Sequence, residues 1–162
     1  MATGLLPTPA PAGVTPTDPQ AVVEAFLAAL ADADLDAAGA LLDADAAYTN
    51  VGLPTIHGRA RVVKVLAGLD RPGAGFEAYL HAGSADGPTV LNERTDVIVI
   101  GRFRAQFWVT GRFDVHDGRI TLWRDSFDYL DIARAVVRGL VGIALPGVRP
   151  TPPAGLDAAP GR

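Results

Sequence analysis

The sequence contains no cysteine among its 162 residues. Disulfides, thiolate metal sites and cysteine nucleophiles are therefore excluded together. The chain also lacks an excess of basic side chains, because 14 lysines and arginines stand against 18 aspartates and glutamates, for a formal net charge of -4. A balance of this sign offers no basic footprint to a polyanion, so we expect no nucleic-acid partner.

Long hydrophobic runs are missing as well. The longest apolar stretch, AVVRGLVGIALPGV, is too short to span a bilayer and includes Arg138. The start of the chain, MATGLLPTPAPAGVTPTDPQ, lacks the basic residues and the apolar run of a signal peptide. We therefore expect a cytoplasmic protein with no stable membrane insertion.

The residues of two familiar kinds of site are too scattered to form one. His57, His81 and His116 lie far apart in the sequence, without the spacing of a zinc-binding helix, so we expect no metal site. Ser84 and Ser126 have no convincing histidine and aspartate partners, which argues against a serine hydrolase.

The composition is that of a globular protein, with 49% hydrophobic and 20% charged residues. Proline is concentrated at the two ends of the chain, where apolar residues show no periodicity. We therefore expect one domain over residues 17–145, between flexible tails at residues 1–16 and 146–162.

Apolar residues at helical spacing predict a helix in TDPQAVVEAFLAALADAD, with Thr17 or Asp18 as its cap, and further helices in DLDAAGALL and HGRARVVKVLAGL. A last helix is predicted to begin at Asp128. Asp131 would complete its cap, and the helix would turn a set of side chains inward, namely Ile132, Ala135, Val136 and Leu140.

Between these helices the pattern becomes extended. AAYTNV predicts a brief strand, and four longer strands follow in GFEAYLHAGSA, TVLNERTDVIVI, FRAQFWVTGRFDV and RITLWRDSFDY. Asp117-Gly118 predicts a tight turn between the last two. Helices followed by consecutive antiparallel strands indicate an α+β domain in which the helices pack on one face of the sheet. A strongly curved sheet of this kind forms a cone with a pocket beneath the helices.

Three predicted strands carry polar residues at a spacing of two, which keeps side chains on one face of a strand. The pairs are Tyr48 and Asn50, Arg94 and Asp96, and Trp123 and Asp125. Any single pair is more often a solvated surface feature.

The alternation of side chains along a strand favours an inward position for the third pair. Trp123 and Phe127 bracket Asp125 on one side of the strand, while Arg124 shares the other side, and large aromatics are more often inward than arginine. An inward carboxylate needs a partner, and Arg94 is the obvious one. The segment ERTDVIVI does not by itself decide which of its faces is inside, because every residue after Asp96 is apolar.

The segments NVGLP, VLNERTDV and GRITLWRDSFD closely resemble the limonene-1,2-epoxide hydrolase family, within the nuclear transport factor 2-like superfamily. The resemblance extends over residues 18–142. It implies a cone-shaped, cystatin-like fold with a strongly curved mixed sheet, in which N-terminal helices and a C-terminal helix enclose a deep apolar pocket. It also implies a homodimer and an epoxide hydrolase that needs no cofactor.

The family's polar residues fall on Tyr48, Asn50, Arg94, Asp96 and Asp125. In the mechanism that the resemblance implies, ionised Asp125 takes a proton from a water that attacks the epoxide, while Tyr48 and Asn50 hold that water. Protonated Asp96 gives its proton to the departing oxygen, and Arg94 bridges the two aspartates.

The implied partners are water and a lipophilic epoxide, bound by apolar side chains at Ile98, Phe107, Val109, Trp123 and Phe127. Two alternatives stay open at this point. One is an isomerase or cyclase of the ketosteroid isomerase or polyketide cyclase kind, which needs an oxyanion donor rather than an arginine held by two carboxyls. The other is a non-catalytic module that binds a lipophilic ligand, since one fold hosts many functions.

Overall fold

The computed structural model describes residues 17–68 and 71–153. The helices within these ranges are α1 (Pro19–Ala31), α2 (Leu35–Ala40), α3 (Arg59–Leu66) and α4 (Tyr129–Ala144), with a 3-10 turn at Pro146–Val148. The strands are β1 (Leu42–Asn50), β2 (Ile56–His57), β3 (Ala74–Asp86), β4 (Thr89–Ile100), β5 (Phe103–His116) and β6 (Arg119–Ser126). Strand β2 and the 3-10 turn were not predicted, and His57 belongs to β2 and not to the predicted third helix. The other helices and strands follow one another in the predicted order.

The strands pair in the order β2-β1-β6-β5-β4-β3. β3 to β6 form antiparallel hairpins, whereas β1 lies parallel to β6 and antiparallel to β2. The predicted turn between β5 and β6 is confirmed, since both Asp117 and Gly118 have positive φ angles of 50° and 70°, as a two-residue hairpin turn requires. The mixed sheet with its helices confirms the α+β class.

Helices α1 and α4 begin where capping chemistry predicts. The Asp18 carboxylate accepts a hydrogen bond from the Ala21 backbone N–H at 3.0 Å, and Pro19 occupies the first turn, where its missing N–H costs nothing. The Asp128 carboxylate accepts from the Leu130 N–H at 2.7 Å. These side chains satisfy backbone donors that a helix leaves free at its start.

Helix α1 supplies much of the core on the inner face of the sheet. Phe26 is fully buried and packs edge-on against Trp123 and Phe113, with ring centroids 5.0 Å and 6.4 Å apart. Val22, Leu27 and the rest of the apolar stripe lie in the same cluster. The stripe fixes α1 over β5 and β6, which carry part of the candidate site.

Helix α4 packs differently from the prediction. Ala135 is buried and Ile132 partly so, as expected, but Val136 and Leu140 are exposed, with 38% and 56% of their surface accessible. The buried side of the helix instead runs through Gly139, where a Cβ would overlap the Phe103 ring and the Arg104 carbonyl. Small residues let the helix approach β5 closely, so its larger apolar residues face outward.

Asp131 has a different role from the predicted one. Its carboxylate accepts a hydrogen bond from the backbone N–H of Trp108 at 3.1 Å, and the cap contact comes from Asp128 alone. Asp131 therefore ties the start of α4 to β5 and does not complete a cap.

A cavity lies between the inner face of the sheet and helices α1, α3 and α4, which contribute Leu30, Leu66 and Ile132 to its lining. Of the predicted tails, residues 1–16 and 154–162 lie outside the described residues. In the described part of the second tail, the Arg149 side chain donates to the Gly142 carbonyl at 2.8 Å. None of the helices in the described ranges is long and apolar enough to cross a membrane.

Candidate active site

The alternation of strand β4 places three polar side chains on the inner face of the sheet. Asn92, Arg94 and Asp96 follow one another at a spacing of two, and all three are buried. The face that the sequence left undecided is therefore the interior. Such burial is costly for charged groups unless they are paired.

The register of the sheet brings a fourth polar residue beside them. Asn92 pairs with Gly111 on β5, Gly111 pairs with Asp125 on β6, and Asp125 pairs with Asn50 on β1. These four positions form one row across four strands, hereafter the polar row. The parallel contact between β1 and β6 is needed to complete it, and so residues far apart in the sequence meet.

Arg94 occupies the centre of the site and is fully buried. Its Nε donates to Asp96 Oδ1 at 2.8 Å, and its Nη2 donates to Asp96 Oδ2 at 3.1 Å and to Asp125 Oδ2 at 2.6 Å. Its Nη1 donates to Asn92 Oδ1 at 3.1 Å. One guanidinium thus bridges two carboxyl groups, as the planar fork of arginine permits and the point charge of lysine does not.

The missing side chain of Gly111 makes room for this bridge. A Cβ at that position would overlap Arg94 Nη1 and would lie 2.6 Å from Asn92 Oδ1. Because Gly111 has no side chain, the Arg94 guanidinium can pass over it from β4 and bind Asp125 on β6. The sequence analysis singled out neither Gly111 nor Asn92.

Tyr48 and Asn50 form the opposite side of the site. The Asn50 amide nitrogen donates to the Tyr48 hydroxyl oxygen at 2.8 Å, and that hydroxyl lies 3.2 Å from Asn50 Oδ1. The Tyr48 ring stacks on Trp123 with centroids 4.0 Å apart. Stacking and hydrogen bonding together fix both side chains at the edge of the cavity.

Among the described residues, Asp125 Oδ1 is buried and has no hydrogen-bond partner. The other carboxylate oxygen of Asp125 is bound by Arg94, and the side chain lines the cavity. An acceptor without a partner at this place can receive a hydrogen bond from a small donor such as water.

Burial, against the lowering effect of Arg94 and with a smaller raising effect of nearby Asp125, brings the pKa of Asp96 to about 6. Burial likewise raises the pKa of Tyr48 to about 12, with a further contribution from Asp125. For Arg94, burial lowers the pKa, but Asp96 and Asp125 outweigh it and the pKa is raised overall. The site therefore combines a permanent cation, a neutral phenol and a carboxyl group that holds its proton in mildly acidic solution.

The walls of the cavity are apolar. Ile98, Phe107, Trp123 and Phe127 line it, as the sequence analysis expected of them. Val109 is buried directly opposite Arg94 in the β4–β5 ladder and is not one of the lining residues that the structure describes. Four further lining residues were not predicted, because they come from other elements: Leu30, Leu66, Phe76 and Ile132.

In residues 17–68 and 71–153, no three His, Asp or Glu side chains are grouped so that they could hold a metal ion. What the site offers is proton chemistry. The Asp96 carboxyl group, whose pKa is raised, and the Asp125 side chain both line the cavity, and the Arg94 guanidinium binds them both.

Known proteins are similar over most of this chain. The model of the limonene-1,2-epoxide hydrolase catalytic domain matches residues 17–138. The chain is 47% identical over 129 residues to Epoxide hydrolase EphG of Mycobacterium tuberculosis (strain ATCC 25618 / H37Rv), which covers 80% of this chain and 86% of the relative. A solved LEH-like epoxide hydrolase from M. tuberculosis superposes with a TM-score of 0.77 at 46% identity, covering 81% of this chain and 93% of the other.

More distant structures share the fold alone. A nuclear transport factor 2-like protein of unknown function from Burkholderia pseudomallei superposes with a TM-score of 0.63 at 16% identity, over 73% of this chain and 96% of the other. The predicted nuclear transport factor 2-like fold is therefore confirmed, while likeness at this level says nothing about activity.

The raised pKa of Asp96 predicts a pH-dependent stability. In the unfolded chain an aspartate titrates near 3.9, roughly, so between about pH 4 and pH 6 the unfolded state loses this proton first. The contribution of Asp96 to the free energy of unfolding is complete below about pH 4 and is lost as the pH rises through 6. The free energy of unfolding changes by about 3 kcal/mol over this range. Urea unfolding of the protein and of Asp96→Asn across this range should give a difference that declines with rising pH. A constant difference, or a carboxyl ¹³C titration of Asp96 with a midpoint near 4, would contradict this assignment.

Proposed function

The chain belongs to the limonene-1,2-epoxide hydrolase family and is an epoxide hydrolase; from that premise we propose that it adds water to a lipophilic epoxide in one step, with Asp125 as base and Asp96 as acid. The observation that carries the proposal is the buried bridge from Arg94 to both aspartates. It is supported by Asp125, which lines the cavity and whose Oδ1 has no hydrogen-bond partner among the described residues.

In the proposed step, the free oxygen of Asp125 takes a proton from a water molecule as the oxygen of that water bonds to an epoxide carbon. The bond from this carbon to the ring oxygen breaks, and the ring oxygen takes the proton of Asp96. Water is consumed and a vicinal diol forms, with neither a full alkoxide nor a full carbocation. The cluster ends with the proton on Asp125, and a return of that proton to Asp96 through solvent restores the starting state.

The charge of the cluster supports these protonation states. Two ionised aspartates around Arg94 would carry a net charge of -1 in a buried site, whereas a single shared proton makes the cluster neutral. Low polarity favours the neutral arrangement. The raised pKa of Asp96 supports our proposal that this residue carries the proton and that Asp125 acts as the base.

Tyr48 and Asn50 are proposed to hold the attacking water. Asn50 is the neighbour of Asp125 in the polar row, and its Oδ1 lies on the same side of the cavity as the Tyr48 hydroxyl. Acceptors at Asn50 and Asp125 would fix both hydrogens of the water, which orients a lone pair toward the substrate and reduces the entropy lost on reaction.

The substrate is proposed to be lipophilic. Eight of the lining side chains are hydrophobic, namely Leu30, Leu66, Phe76, Ile98, Phe107, Trp123, Phe127 and Ile132, and the polar ones gather at the aspartates. A ligand with polar groups along these walls would lose hydrogen bonds to water without replacement. Apolar substituents on an epoxide fit this distribution.

A homodimer is also proposed, formed through the outer face of the sheet. On that face His81 stacks on Trp108 with centroids 4.5 Å apart, and Arg104 binds Glu77 at 2.7 Å and 2.6 Å. Aromatic and arginine side chains are enriched in surfaces that meet a partner. Sedimentation equilibrium should give twice the chain mass of 16.8 kDa, and Trp108→Glu should reduce it to a monomer. A monomeric wild-type protein at micromolar concentration would exclude this association.

The one-step mechanism predicts the source of the new oxygen. With enzyme in excess over a terpene or aryl epoxide in H₂¹⁸O, the first turnover should give diol with one ¹⁸O, because no carboxylate oxygen enters the product.

Asp125→Asn and Asp96→Asn should each lower kcat at least a hundredfold, roughly, as expected for loss of a general base or acid. Asp36→Asn, an exposed aspartate in α2, is the matched control. Unlabelled diol in the first turnover, or full activity of either site variant, would refute the assigned roles.

The pH dependence of kcat/KM should reveal the acid. Because Asp96 must hold its proton in the free enzyme and its pKa is raised to about 6, kcat/KM should fall about tenfold per pH unit above pH 6. Initial rates between pH 5 and 9 provide this measurement. A kcat/KM that stays level up to pH 9 would show that no group with such a pKa donates the proton.

A further inference from the structure

We propose that Asn92 is a positioning residue of the hydrolase reaction, which holds the Arg94 guanidinium in place while protons move between the two aspartates and the substrate. This inference rests on the proposed function. It concerns a residue that contacts neither the cavity nor the reacting atoms, and that acts only through Arg94.

Asn92 binds the guanidinium nitrogen of Arg94 that neither aspartate binds. Asp96 binds Nε and Nη2, Asp125 binds Nη2, and Asn92 Oδ1 accepts from Nη1 at 3.1 Å. Only 4% of the Asn92 surface is exposed, so solvent does not replace this acceptor. Without Asn92, a buried Nη1 would lose the one partner that the structure gives it among the described residues.

The three acceptors differ in how they respond to the reaction. Asp96 and Asp125 exchange a proton during turnover, and a protonated carboxyl is a weaker acceptor than a carboxylate. Their hold on Arg94 therefore changes at each step. The amide oxygen of Asn92 does not titrate, so its hydrogen bond is the contact with Arg94 that keeps the same strength throughout the cycle.

Gly111 provides independent support. It lies between Asn92 and Asp125 in the polar row, and a Cβ there would overlap both Arg94 Nη1 and Asn92 Oδ1. The space that an ordinary residue would fill is thus occupied by this one hydrogen bond. Strand β5 carries a glycine where its neighbours on the inner face, Val109 and Phe113, are large.

The neutral charge of Asn92 matters as much as its acceptor oxygen. An aspartate at this position would place a third carboxylate around a single cation and would disfavour ionisation of Asp96. An amide binds Nη1 without changing the number of protons that the cluster holds. We therefore expect charge and hydrogen bonding at residue 92 to have separable effects.

The test uses two variants of nearly the same size as asparagine. Asn92→Leu removes the acceptor, and kcat should fall about tenfold or more while KM stays within about twofold, because residue 92 does not touch the substrate. Asn92→Asp keeps an acceptor oxygen and adds charge, and should shift the fall of kcat/KM to higher pH by one unit, roughly. A carboxyl ¹³C titration of Asp96 in the substrate-free Asn92→Asp protein should shift in the same direction.

Thr95→Val is the matched control. Thr95 is buried to the same extent on the same strand, it bonds to His81 at 2.8 Å on the opposite face, and it takes no part in the site. Its loss should lower the melting temperature without changing kcat or the pH profile. This control separates the effect of removing any buried polar group of β4 from the effect of releasing Arg94.

The inference is overturned if Asn92→Leu keeps kcat within twofold of the wild type, or if Asn92→Asp leaves both the pH profile and the Asp96 titration unchanged. If Asn92→Leu does not fold, Asn92→Asp decides alone. A wild-type protein without epoxide hydrolysis would refute the proposed mechanism, whereas the Asp96 titration in Asn92→Asp would still measure whether residue 92 acts on the cluster.

Discussion

The contact between the Arg94 guanidinium and the carboxyl groups of Asp96 and Asp125 is the interaction on which the site depends. Removing these three groups from water costs several kcal/mol for each ion, on the order found for buried pairs, and the cost is offset only when every charge has well-placed partners. Here the arginine is fully buried and its contacts to the two carboxylates are 2.6 Å to 3.1 Å long. The remaining features of the site serve to make that geometry possible.

The sheet meets this requirement through alternation and register together. Alternation along β4 sends Asn92, Arg94 and Asp96 inward. Register across β4, β5 and β6 puts Gly111 between Asn92 and Asp125, where its missing side chain leaves room for the Arg94 guanidinium. The fold does not by itself specify an activity, because one architecture hosts many functions. In this chain the site is made by polar side chains of β1, β4 and β6 that meet at one end of the cavity.

Stability and chemistry make opposite demands on this cluster. A fully ionised trio would bind Arg94 more strongly, yet a proton donor is needed at Asp96 for the proposed reaction. Burial resolves the conflict, since it raises the pKa of Asp96 against the lowering effect of Arg94. The apolar walls of the cavity also keep away the solvent that would otherwise screen these charges.

The sequence by itself determined those features that depend on near neighbours in the chain. A first helix cap at Thr17 or Asp18, a last one at Asp128, the turn at Asp117-Gly118 and the shared face of Arg94 and Asp96 all follow from local spacing. The structure decided the first of these in favour of Asp18. The same spacing places Asn92, two residues before Arg94, on that face as well, but spacing alone does not show that it binds Arg94.

Tertiary structure alone decided which face of β4 is interior, that Gly111 lies under the guanidinium, and that Leu30, Leu66, Phe76 and Ile132 reach the cavity. It also reversed the prediction for Val136 and Leu140, because the closeness of α4 to β5 is set by Gly139 meeting Phe103 and not by the apolar period of the helix. Local patterns report the direction of a side chain relative to its own strand or helix, whereas its neighbours depend on register and packing between segments distant in the chain.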